Sequence, residues 1–241
     1  MIKTKQIKSI NSTCDTIDNY KIVNVLSWHK KDTPYFELSP YYLKTDGHEE
    51  IQNNGNVIFE NFWQGSKVYQ KIKAIKQYSH YSKIGDPNYL WYEYHDDILM
   101  NGNDILPAYY EWRNHLFDNK KPVRYPVGIS DRKKCLFSLV GNKRLNYIEA
   151  RQQIYIKEYS RLIRNLDIYK ELLNELKQGI NLCIYEIDVP EKNKKGNFKF
   201  VNEIDNTYNC TIENLNILSN DPSEAFGHGL CLAKTLLEDK N

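Results

Sequence analysis

The stretch Ile180 to Ile187, INLCIYEI, is apolar at consecutive positions instead of alternate ones, so both of its faces must be buried. A strand of that kind belongs in the middle of a sheet, with Glu186, Asp188 and Pro190 at its end. Carboxylates at the end of a buried strand suit an α/β active site, and they also suit a cap on a neighbouring helix. The flanking pattern is helical. Asp167 to Lys177 reads as a helix stopped by Gly179, and Leu145 to Arg164 is the longest helical pattern in the chain. The fold class expected is α/β (α+β): a mainly helical single domain over residues 21–241 around a small central sheet, preceded by a polar N-terminal arm at 1–20.

Other strands are expected at Lys21 to Ser27, at Tyr35 to Leu38 and at Leu136 to Val140, with Tyr89 to Tyr94 readable as strand or buried helix. Pro107 at a first helical position, followed by Tyr110, Trp112, Leu116 and Phe117, marks a helix of about three turns. Arg124 to Gly128 reads as a rigid turn. In the helix that starts near Leu145, Arg151 falls on the apolar stripe, where a guanidinium needs a partner. A buried carboxylate is the structural choice, a phosphate the functional one.

The stretch with most chemistry is Val57 to Ile75, read as one amphipathic helix. At about 100° per residue, Glu60 and Lys67 come within roughly 20° of one another after two turns, with Trp63 and Gln64 between them. Phe59, Phe62, Tyr69 and Ile72 form its apolar side. Acid and base at that spacing usually flank a solvated face, but Gly65 costs roughly 1 kcal/mol relative to Ala inside a helix and points to something approaching the backbone closely.

Near the other end, Gly227, His228 and Gly229 open a helix running to Leu237, where main-chain N–H groups can meet a phosphate. A lone histidine such as His228 is more often a hydrogen-bonded structural group than a base. The lysines at 192, 194, 195 and 199 read as a solvated loop, with contact to a phosphate backbone as the alternative. A formal charge of +2 demands no polyanionic partner. Five cysteines show no metal-ligand spacing, and with no apolar leader or spanning run the chain is expected to be soluble and cytoplasmic, free of membrane. Motifs for nucleoside triphosphate hydrolysis and zinc proteolysis are missing.

The order of these pieces resembles the NADAR family, whose sequences open with a Ser-Asn-Phe segment and an acidic-aromatic-Gln-x-x-Lys helix. Phe36 to Tyr41, containing Ser39, stands for the first and Glu60 to Lys67 for the second; Arg151, Leu172-Leu173, Gly179, Leu182 to Glu186 and Phe226 to Gly229 follow the later pieces. Pro40 replaces the family's Asn, residues 189–220 look like an insertion, and the Asn-rich element after the Gly turn is absent. The resemblance implies an N-glycosidase that acts on a nucleotide or an ADP-ribosylated nucleic-acid base, without metal or cofactor. Glu60, Lys67, Glu186 and Asp188 are then the catalytic candidates. Ser39, Trp63, Gln64, Trp112, Arg113, Arg124, Arg151, Gly227, His228 and Gly229 are the substrate-binding ones. Glu60 would stabilise positive charge on the sugar, Lys67 would bind phosphate or attack the anomeric carbon, and Trp63 would stack a base. Two other classes fit the residues: a module that binds ADP-ribose unchanged, and an interaction protein whose 19 tyrosines build a core and a partner surface.

Overall fold

The computed structural model describes residues 1–7, 17, 19–26, 34–45, 56–78, 90–125, 134–190, 201–202 and 207–240. The lysine-rich run at 191–200 and residues 126–128 of the expected Arg124 turn lie outside them. The chain is a mixed α/β protein with several small sheets, consistent with an α+β class. Where one domain is expected, the residues divide into two compact units, one made of Met1–Leu43 with Arg151–Asn241 and the other of Lys44–Ala150.

The first unit is built on a five-stranded sheet in the order Val201–Asn202, Thr207–Cys210, Ile2–Gln6, Leu182–Glu186, Lys21–Asn24. The last three run parallel, in the register Ile2 to Leu182 and Val23 to Ile184, and Thr207–Cys210 joins antiparallel to Ile2–Gln6. Leu182–Glu186 is buried at every position, as its composition requires of a strand with neighbours on both sides. The expected N-terminal arm is instead the sheet's central strand. Ile2 and Thr4 point inward while Lys3 and Lys5 alternate with them, and two ordered neighbours supply the ladder that so polar a segment cannot supply alone. The stretch 189–220, read as an insertion, contributes two strands of this sheet and the helix Ile212–Ser219, which is capped by Thr211 accepting from the Asn214 N–H.

The helix His228–Lys240 is apolar nearly all round and packs on the Ile2–Gln6, Leu182–Glu186 and Thr207–Cys210 strands. The helix Asp167–Lys177 lies against it, and Gly179 follows at φ 93°. Tyr35 to Leu38 belongs to a 3-10 turn, Pro34–Leu38, not a strand: Pro34 fixes a compact φ at its start, and Tyr35 and Leu38, three apart, both turn inward. The long helix opens this unit as a π-helical segment, Arg151–Ile156, continuing as Lys157–Ile163.

The second unit holds three antiparallel strands, Lys143–Leu145, Cys135–Val140 and Lys67–Tyr69, together with four two-stranded ladders. One of these pairs Ile75–Tyr78 with Leu90–Tyr94 and settles the aromatic block as strand. The helix Pro107–Asp118 begins at its proline as expected and buries Tyr109, Trp112, Leu116 and Phe117. Among the described residues no helix is long and apolar enough to cross a membrane.

Candidate functional site

The helix carrying Glu60 covers only Phe59–Gly65. Ser66 ends it, its N–H donating to the Phe62 carbonyl and its hydroxyl to the Trp63 carbonyl, and Lys67 then leads a strand. The expected helix through Ile75 is therefore corrected. Val68 and Tyr69 are good strand formers, and the Cys135–Val140 strand offers them a ladder, so tertiary pairing overrides the helical stripe.

The four side chains converge nonetheless. Gln64 Nε2 donates to Glu60 Oε1 at 2.7 Å, and Lys67 Nζ donates to Gln64 Oε1 at 2.8 Å. An ammonium can only donate and an ionised carboxylate can only accept, so the two charges fix which way the amide points. Lys67 Nζ also lies 4.6 Å from the centroid of the Trp63 ring, a cation–π contact. Glu60 and Gln64 are buried, while Trp63 and Lys67 are half-buried at the outer end of the chain. Gly65 is small for the sake of packing: a Cβ there would stand 2.7 Å from Phe117 Cε1, and Tyr109 Oη donates to the Gly65 carbonyl at 2.9 Å.

Of the other candidates in this unit, Trp112 is fully buried among the rings of Tyr69, Tyr109 and Tyr125. The Arg113 guanidinium lies over the Tyr109, Tyr110 and Phe117 rings. Arg124 is exposed, with its main chain pinned by the Gln77 side chain. Two residues that the sequence reading passed over come beside Lys67. Ser138 is its cross-strand partner, and Cys135 is paired with Tyr69. Burial pushes the Cys135 thiol up, with the Lys67 charge pulling the other way. Their segment is legible as a strand, but its pairing with Lys67 is not written in local sequence.

In the first unit, Glu186 sits 1% exposed at the end of its strand. Its Oε1 accepts from the N–H groups of Ile187 and Asp188 at 2.7 and 3.0 Å, and its Oε2 accepts from Gly229 N–H at 2.6 Å. His228 Nδ1 lies 3.1 Å from the same Oε2 while its Nε2 faces the Val25 carbonyl at 3.0 Å, so both ring nitrogens meet oxygen atoms of the chain. The helix start expected to receive a phosphate is thus filled by the chain's own carboxylate. Gly227 is glycine because a Cβ would fall 2.5 Å from Glu186 Cδ. Asp188 is exposed and takes part through its carbonyl, which accepts from Gly227 N–H. Ser39 is buried, its hydroxyl accepting from Tyr41 N–H.

Arg151 is 2% exposed, and main-chain carbonyls are among its partners. Its guanidinium donates to the carbonyls of Leu218, Ser219, Asp221 and Glu224 at 2.8–3.2 Å. Two of those carbonyls end the Ile212–Ser219 helix, where oxygens lack helical partners and a cation meets the negative end of the dipole.

Of the fourteen candidates, Glu60, Trp63, Gln64 and Lys67 come together in one unit and Glu186, Asp188, Gly227, His228 and Gly229 in the other, while Trp112, Arg113 and Arg124 share only the unit of the first group and Ser39 and Arg151 only that of the second. Among the described residues no group of three or more His, Cys, Asp or Glu side chains is placed to hold a metal ion. No family model, no curated protein and no solved structure matches the chain.

Proposed function

We propose that this chain is an N-glycosidase of the NADAR kind, in fold as in chemistry, hydrolysing the bond between a ribosyl carbon and a base nitrogen in a nucleotide or an ADP-ribosylated nucleic-acid base. The observation that carries the reading is the hydrogen-bonded chain Glu60–Gln64–Lys67, running from a buried carboxylate to a half-buried ammonium beside Trp63. As the glycosidic bond breaks, the base leaves with the electron pair and takes up a proton, while water adds to the sugar carbon and gives one up. Positive charge develops on the sugar in between, and a carboxylate out of bulk water stabilises it strongly. Glu60 has one oxygen tied to Gln64, which leaves Oε2 to orient the water. Both oxygens of Glu186 are engaged by main-chain N–H groups, so the proton-handling role goes to Glu60. The four cysteines among the described residues are free thiols, which fits a reducing intracellular setting.

A second reading, a module that binds ADP-ribose without cleaving it, draws on the surroundings of Lys67. An indole face and an amide oxygen both favour the ammonium over the neutral amine, which suits a cation for phosphate better than a nucleophile. The test is incubation with ADP-ribosylated guanosine and detection of free base by mass spectrometry. Wild type is expected to release base, and Glu60→Gln and Lys67→Ala to abolish release with thermal unfolding unchanged. Activity retained in both variants removes the pair from the mechanism, and binding without release favours the module.

A further inference from the structure

The Lys67 ammonium lies 4.6 Å from the centroid of the Trp63 ring, with both side chains half-buried at the outer end of the hydrogen-bonded chain. A base stacked on an aromatic ring brings its own centroid to about 4.5–7 Å. The ammonium therefore stands where a base would lie on that face of the indole. The ring's electrons and the Gln64 amide oxygen, an uncharged acceptor at 2.8 Å, help to hold it there. A ligand without an anionic group must displace it and offers no charge in return.

A phosphate changes that balance. Its oxygens carry full negative charge, so they attract the ammonium more strongly than an amide dipole or a ring face does. An ammonium has three N–H donors on a flexible stem, so Lys67 can turn to a phosphate while keeping its bond to Gln64. The sheet adds a second cation. Lys67 opposes Ser138, and Val140, two residues along the same strand, opposes Lys143, so Lys143 projects from the same sheet face as Lys67 and is exposed. The Glu60 carboxylate is spaced from the ammonium by the Gln64 amide.

We propose that Lys67 is the specificity-determining residue of this site: its ammonium covers a face of Trp63 against a base until a phosphate of the same ligand draws it aside. The site then takes nucleotides and discriminates against nucleosides and free bases. The assignment rests on the reading of this unit as a nucleotide site in which Trp63 stacks the base, and it adds a coupling between phosphate and base.

The experiment is isothermal titration of the full chain with ADP-ribose, with adenosine, which has a base and sugar but no phosphate, and with adenosine in the presence of inorganic pyrophosphate. Lys67→Ala is expected to weaken ADP-ribose about ten- to a hundred-fold, the range for a hydrogen bond to a charged group. It should tighten adenosine about two- to five-fold, the worth of a cation–π contact at a partly exposed site. Adding Trp63→Ala to Lys67→Ala should abolish that gain. Pyrophosphate should tighten adenosine on wild type by a similar factor and leave Lys67→Ala unchanged; its wild-type arm needs no variant to fold. The proposal is overturned if wild type fails to bind ADP-ribose, if Lys67→Ala binds adenosine no better than wild type does, if the double variant keeps the gain, or if pyrophosphate leaves adenosine binding by wild type unchanged. Coupled binding by a protein that releases no base would retire hydrolysis and leave the selection by Lys67 standing. Base release with adenosine affinity indifferent to Lys67 and to pyrophosphate would do the reverse.

Discussion

A guanidinium is a planar fork of five N–H donors, and Arg151 presents that fork to four main-chain carbonyls around the turn after the Ile212–Ser219 helix. Lysine keeps the charge but has neither the planarity nor enough donors. Arg151→Lys is therefore expected to lower unfolding stability by about 1–3 kcal/mol and Arg151→Met by more than about 3 kcal/mol, since carbonyls and a helix end would be stranded in the interior. Urea denaturation measures both, and equal stability of Arg151→Met would show that the carbonyls find other partners. What the sequence tells about single residues follows from distance along the chain. Glu60, Gln64 and Lys67 lie three and four positions apart, so their meeting is readable even though the helix stops between the second and third. Arg151 is recognisable as an inward cation, but among its partners are carbonyls, which every residue has and no letter distinguishes. Ser138 meets Lys67 only through a ladder between distant segments.

At the scale of elements, the packing of the Phe59–Gly65 helix against Pro107–Asp118 depends on one missing methyl group. A Cβ on Gly65 would press on Phe117 Cε1 at 2.7 Å and Arg113 Cγ at 3.3 Å. Gly65→Ala is expected to lose about 1–3 kcal/mol by overpacking, even though alanine is the better helix former, and Phe117→Leu in the same chain should recover part of that loss. A double-mutant cycle by thermal unfolding checks it, and strict additivity would place the strain elsewhere. Elements with local punctuation are legible: Pro107 starts one helix, Gly179 follows another, and Leu182–Glu186 announces itself by burial. The helix read through Ile75 overran because Tyr69 and Ile72 satisfy a helical stripe and a strand equally well until the partner strands are known. Ile2–Gln6 went unread because Ile2 is its one large apolar residue.

For the molecule as a whole, pH reports on two places, one partly exposed and one buried. Hydrogen bonding from Arg164 and from Tyr169 holds the Asp239 carboxyl below its ordinary 3.8, against the opposing effect of burial. The unfolded chain thus takes up that proton first on acidification. The group's contribution is complete above 3.8 and is lost as pH falls through the lower folded value. Desolvation pushes the fully buried Cys210 thiol from 9.0 up to about 12, and Cys231 upward as well. The unfolded chain then loses those protons first, so stability is level below 9 and declines as pH climbs from there toward 12. Melting temperatures recorded from pH 7 to 11 should fall more steeply above 9, and Cys210→Ala should shallow that limb; an unchanged slope would mean that the thiol is not the group responsible. The sheet's centre has one more consequence. Ile2–Gln6 is translated long before both of its neighbours, Leu182–Glu186 and Thr207–Cys210. Its place in the sheet is filled only once those distant segments fold back to it, so closure of this long circuit is expected to be the slow step of refolding.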